Sequence, residues 1–101
     1  MPVAYRIQFT NSAEDHLAQF AARQQAIVLD AVRTQLRYEP LRETRNRKRL
    51  RPNPFAPWEL RVGYLRVFYE VNPQPSAVVN VLAIGIKRGN KLIVSGKEIQ
   101  L

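Results

Sequence analysis

The chain of 101 residues contains no cysteine, and only one histidine, one methionine and one tryptophan. Without cysteine there is no disulfide framework, no thiolate zinc site and no cysteine nucleophile, and a reducing, cytoplasmic setting is the expected one. A single histidine rules out a nuclease that divides acid and base work between two imidazoles. The 8 acidic residues are scattered without metal-ligand spacing, so neither a bound metal nor a metal-dependent nuclease is expected. P-loop and GxGxxG patterns are missing, and no other cofactor signature takes their place. Long apolar runs are missing as well: no eighteen-residue stretch could span a bilayer, and Met1 to Phe9 is too short and polar for an export signal. No membrane association is expected.

What is scarcest relative to its opposite is negative charge. Sixteen Lys and Arg stand against 8 Asp and Glu, a net charge of +8 and a pI near 10.6. The first 41 residues hold 4 Arg and 4 acids, which leaves 12 basic and 4 acidic residues, the whole excess, in residues 42 to 101. A bias confined to one region fits a surface built for phosphate or for an acidic protein better than it fits general solubility. Hydrophobic residues at 46% and charged residues at 24% are ordinary for a folded chain, and residues 1 to 101 read as one domain.

Val3 to Phe9 alternates apolar and polar residues as a half-buried strand does. Ser12 with Asp15 approximates a capping box and predicts a helix start there. Leu17, Phe20 and Ala21 form one helical stripe, and Ile27, Val28, Ala31, Val32 and Leu36 form a second. Two helices result, with a break near Ala22 to Gln25 and an end at Glu39-Pro40. Residues 41 to 57 carry three prolines and a dense basic run, so they predict a loop with a short strand near Lys48 to Leu50. WELRVGYLRVFYEV reads as a hairpin about Gly63-Tyr64, glycine first suiting a type II′ turn. After a turn at Asn72 to Ser76, AVVNVLAIGI is apolar enough to be buried on both faces and central. Gly89-Asn90 turns into a short edge strand, Lys91 to Val94.

The order β-α-α-β-β-β predicts an α+β fold, a two-helix layer packed on a mainly antiparallel sheet of three to five strands. Its core draws on Phe9, Leu17, Phe20, Val32, Leu36, Leu60, Val67, Val81 and Ile84, and its second face is left free for basic residues.

A two-residue turn at Gly63-Tyr64 pairs Arg61 with Arg66 and Glu59 with Phe68. Like charges directly opposite cost up to about 1 kcal/mol. Either a carboxylate, Glu59 or Glu70, relieves the pair, or an anion binds between the two guanidinium groups. The run from 42 to 51, net +5 over ten positions, favours the anion. Arg45, Arg47, Lys48, Arg49 and Arg51 suit a phosphate backbone without implying sequence recognition. Lys87, Arg88 and Lys91 form a second cluster. His16, among acids in the uncharged part, reads as a helix-surface or capping residue rather than a catalyst. Phosphoryl chemistry on such a surface would use Lys and Arg, with Glu59, Tyr64 or Tyr69 as proton carriers. Trp58, Tyr64, Phe68 and Tyr69 are either core aromatics or platforms for bases.

The run WELRVGYLRVFYEV, preceded by KRLR and followed by VVNVLAIGIKRGNKL, resembles the RelE/ParE family of type II toxin-antitoxin toxins. The opening VAYRIQFTNSAEDHLAQF and the helix pair ending near LRYEP extend the likeness over nearly the whole chain. The resemblance implies a cytoplasmic protein held in a hetero-oligomer by a cognate antitoxin. It further implies a ribosome-dependent mRNA endoribonuclease in which the 2′-hydroxyl attacks the adjacent phosphodiester. It places catalytic groups at Lys48 (or Arg49), Arg61, Arg66 and Lys87, with RNA-binding support from Arg45, Arg47, Arg49, Arg51, Arg88 and Lys91. Two departures stand out. The family's catalytic tyrosine near the C-terminus has no counterpart in NKLIVSG, where Ile93 or a neighbour stands, and Lys87 replaces an arginine. A ParE-like inhibitor of DNA gyrase and a nonenzymatic RNA-binding module are the alternative functions.

Overall fold

A computed structural model describes Val3–Leu101. Strand β1 (Arg6–Phe9) leads into helices α1 (Asn11–Ala18) and α2 (Ala22–Leu36), and six strands follow: β2 (Arg47–Arg49), β3 (Trp58–Val62), β4 (Leu65–Asn72), β5 (Val78–Arg88), β6 (Lys91–Val94) and β7 (Lys97–Ile99). The sheet order is β2-β3-β4-β5-β6-β7, antiparallel throughout, with β1 alone running parallel to β5.

The α+β class and the helix pair are as the sequence predicts, but the sheet has seven strands rather than three to five. The short strand expected near Lys48 to Leu50 is β2, one residue earlier, and the unexpected strand is β7, only three residues long and too short to establish an alternation. Lys91–Val94 is consequently interior, and β7 forms the edge beyond it. Ser95 and Gly96 link β6 to β7 with φ of 53° and 77°, the left-handed pair that a tight hairpin requires.

The first helix is capped by Thr10, not Ser12: Ala13 N–H donates to the Thr10 hydroxyl at 3.1 Å, and that hydroxyl donates to Leu82 O at 3.2 Å. Thr10 prevails because it satisfies the helix end and β5 together. The second helix starts at Ala22 without a hydroxyl cap; the Gln24 side chain accepts from Ala21 N–H instead. It stops at Leu36, short of Glu39, which adopts a φ of 55°.

Two apolar clusters sandwich the sheet. On the helix side, Val28, Val32 and Leu36 pack on Leu60, Val67, Tyr69, Val79, Val81 and Ile84. Of the expected core, Phe9, Leu17 and Phe20 are only partly buried at its margin. The other face is not left free: Phe68, Ala83, Leu92 and Val94 are buried there under Phe55 and Ala56 of the proline-rich loop. Phe55 meets the Phe68 ring edge-on at 4.9 Å. Asn53 shapes that loop, since its amide oxygen accepts from Phe55 and Ala56 N–H while its amide nitrogen donates to Arg51 and Ala56 carbonyls.

Candidate nucleic-acid interface

Strand register decides which basic side chains share a surface. Gly63, with a φ of 60°, begins the β3–β4 turn, and Arg61 faces Arg66 as the two-residue loop requires. Side chains alternate across a sheet, so Glu59 and Arg61 lie on one face, with Phe68 and Arg66 opposite them on β4. Lys48 pairs with Glu59, and Gly85 with Arg66, which carries the same face onto β2 and onto Gly85 and Lys87 of β5. Lys48, Arg61, Arg66 and Lys87 therefore stand on four adjacent strands, within about 15 Å, on the side away from the helices.

The centre of this face is a carboxylate. Arg61 Nε donates to Glu59 Oε2 at 3.0 Å, and Arg66 Nε lies 4.0 Å from Glu59 Oε1. The side chains differ in exposure: Glu59 is 10% exposed, Arg66 14% and Arg61 48%. Arg66 Nη1 also donates to Gly63 O at 2.7 Å and Leu65 O at 2.9 Å. Burial lowers the pKa of Arg66 from its ordinary value, Glu59 works against that shift, and Arg61 adds to it. Of the two reliefs open to the facing arginines, the carboxylate is the one in place.

Beside Glu59 and Lys87 a cavity of about 240 Å³ opens, with Asn90, Glu98 and Gln100 on its wall. The sequence places Asn90 only in a turn and gives Glu98 and Gln100 no role, because only the β7 return brings the C-terminal segment back to the site.

Several expected contacts fall elsewhere. Arg47 and Arg49 pair with Leu60 and Trp58 on the helix side. Arg47 Nη1 donates to the carbonyls of Gln35 and Tyr38, closing the end of α2, so its charge meets the negative pole of the helix. Arg49 lies over the Trp58 ring. Arg88 and Lys91 pair with each other one residue out of phase with Lys87, and Arg88 lines a cavity with His16 on the helix side. They form no cluster with Lys87. Arg45 and Arg51 are exposed in the loop.

Among the proton-carrier candidates, Tyr69 is buried on the helix side and donates to Pro40 O at 2.9 Å. Burial raises its pKa well above the usual phenol value, against a smaller lowering by Arg47. Trp58 and Phe68 are buried core aromatics, which leaves Tyr64, 77% exposed at the hairpin tip, as the one of the four open to a ligand. Ile93 pairs with Ile86 and points to the helix side, so no side chain at that position reaches the basic face. His16 is neither a capping group nor freely solvated: its Nδ1 accepts from Ile84 N–H at 3.2 Å.

No family model matches this sequence, and no curated protein sequence matches it. The fold does have counterparts. A chain of the RelBE2 toxin-antitoxin complex from Mycobacterium tuberculosis is similar at 27% identity and a TM-score of 0.73, over 84% of this chain and 93% of that one. A chain of the archaeal RelE-RelB complex from Pyrococcus horikoshii is similar at 26% identity and a TM-score of 0.66, over 86% and 98%.

The chain shares the fold of these toxin-antitoxin complex chains. On its hairpin face Glu59 is set between the two hairpin arginines.

Proposed function

We propose that this protein is a RelE/ParE toxin of a type II toxin-antitoxin pair and cleaves messenger RNA on the ribosome. One observation carries the reading: the sheet register gathers Lys48, Arg61, Arg66 and Lys87 on a single face opposite the helices. In the proposed reaction a ribose 2′-hydroxyl gives up its proton as its oxygen bonds to phosphorus, the bond from phosphorus to the 5′-oxygen breaks, and a proton returns to that oxygen, leaving a 2′,3′-cyclic phosphate and a 5′-hydroxyl. Negative charge builds on the phosphoryl oxygens as the bond forms. Arg61, Lys48 and Lys87 stabilise that charge more than they stabilise the ground state, which is what lowers the barrier.

The partner follows from the same charge. A +8 protein suits an antitoxin with an acidic, partly disordered segment that folds onto it. Both similar structures are toxin-antitoxin or RelE-RelB complexes, which supports this partner.

Induced expression followed by mapping of mRNA 5′ ends tests the reading. Cuts at codon positions within translated messages are expected. Intact messages alongside relaxed or broken chromosomal DNA would identify a gyrase inhibitor instead, and growth arrest with neither would identify a nonenzymatic RNA binder.

A further inference from the structure

Glu59 presents its two oxygens to two guanidinium groups, yet the two arginines are held very differently. Arg66 is shielded and gives Nη1 to two backbone carbonyls in addition to its contact with Glu59. Arg61 is half exposed, and among the described residues its side chain has one hydrogen bond, from Nε to Glu59 Oε2. The three groups together carry a net charge of +1, complementary to one phosphodiester. A carboxylate and a phosphodiester offer a guanidinium the same pair of anionic oxygens. Although buried, Glu59 lines the cavity it shares with Lys87, so an anion entering there meets the carboxylate that holds Arg61 Nε.

We propose that Glu59 is a positioning residue that occupies, in the free protein, the place a phosphodiester takes beside Arg61, so that RNA binding exchanges one anion for another at Arg61 while Arg66 stays fixed. This rests on reading the face as an RNA site. Arg66 supplies constant charge; Arg61 is the arm that transfers. Glu59 aligns that arm before the ligand arrives and weakens the protein's hold on any phosphate, which limits indiscriminate retention of RNA.

The test uses the Glu59→Gln variant and an oligoribonucleotide made uncleavable by a 2′-deoxy sugar. The amide keeps an oxygen for Arg61 Nε but removes the charge. Expected are binding roughly tenfold tighter at low salt and a plot of log affinity against log salt steeper by about 0.7, the increment for one more unit of positive charge facing a single strand. Unchanged or weaker binding with an unchanged slope overturns the proposal. Because two unrelieved arginines could compromise folding of the variant, the wild-type protein provides a second measurement: the Nε–Hε resonances of Arg61 and Arg66 followed by NMR while inorganic phosphate is added. Arg61 is expected to shift and Arg66 to hold still; equal shifts, or Arg66 moving first, overturn the exchange. Codon-positioned cleavage in cells with an unaffected Glu59→Gln slope refutes this inference alone. The expected slope and shifts without any cleavage in cells refute the nuclease reading and leave the exchange standing.

Discussion

The Nδ1 of His16 accepts the backbone N–H of Ile84 at 3.2 Å, in the gap along β5 where β1 has ended at Phe9 and β6 has not yet begun. Thr10 fills the neighbouring position by donating to Leu82 O. Two side chains thus continue a strand pairing that the backbone interrupts, and α1 is held against the sheet at that point.

This contact makes stability depend on pH. Acceptance requires neutral imidazole, and burial lowers the His16 pKa below its ordinary 6.5, outweighing the opposing effect of Asp15. A lowered folded-state pKa means the unfolded chain binds the proton more readily, so the contribution is complete above about pH 6.5 and is lost as pH falls through the folded value. Since His16 is the sole histidine, the thermal midpoint of the wild type should drop between pH 7 and pH 5 more than that of His16→Gln. Parallel curves for the two proteins would show that the imidazole is not the titrating group.

Arg47 gives a contrasting prediction, because its guanidinium is committed to the end of α2. Arg47→Ala should cost about 2 kcal/mol of stability, the scale of charge-assisted hydrogen bonds to a helix terminus, and leave the salt dependence of RNA binding unchanged. Lys48→Ala should do the reverse. Denaturant unfolding and oligonucleotide binding on both variants check the assignment, and an equal loss of RNA affinity in the two would place Arg47 back on the interface.

The hairpin register is legible in the sequence because a glycine-first turn and a period of two leave no freedom: once Gly63 is placed, Arg61 must face Arg66. The same logic could not reach β2. A three-residue strand has no pattern of its own, and whether Lys48 or Arg49 joins the basic face depends on how the preceding loop enters the sheet. Asn53, whose four hydrogen bonds set that loop over Phe68, carries no signal beyond an ordinary turn residue. Glu59 is legible as one of two possible counterions, but its contact with both arginines depends on side-chain packing that register alone does not specify.

Gly85 looks like a weak point in an apolar strand, yet the approach of β6 explains it. A Cβ there would lie 2.7 Å from Ile93 O and 2.8 Å from Val94 Cγ2, and the first of these is backbone in a paired strand. Gly85→Ala should therefore destabilise the fold by about 1–3 kcal/mol, the usual range for overpacking. A fall in the denaturant midpoint at constant slope is the expected reading, whereas an unchanged midpoint would mean that β6 can move aside.

Arg61 separates a catalytic role from a structural one most cleanly. Its guanidinium is half exposed, points away from the helix-side core and has Glu59 as its partner. In Arg61→Ala, Glu59 keeps Arg66 within 4.0 Å, so the carboxylate is not stranded and the loss of a partly exposed ion pair should cost at most about 1 kcal/mol. If Arg61 stabilises the charge developing on an attacked phosphodiester, the same change removes a contribution of about 3 kcal/mol to the barrier, on the order of a hundredfold in rate. Growth arrest and thermal melting measured on one variant distinguish these effects. The expected result is a folded protein, melting close to the wild type, that no longer arrests growth. A folded and fully toxic Arg61→Ala protein would remove Arg61 from the site and leave its pairing with Glu59 as its whole role.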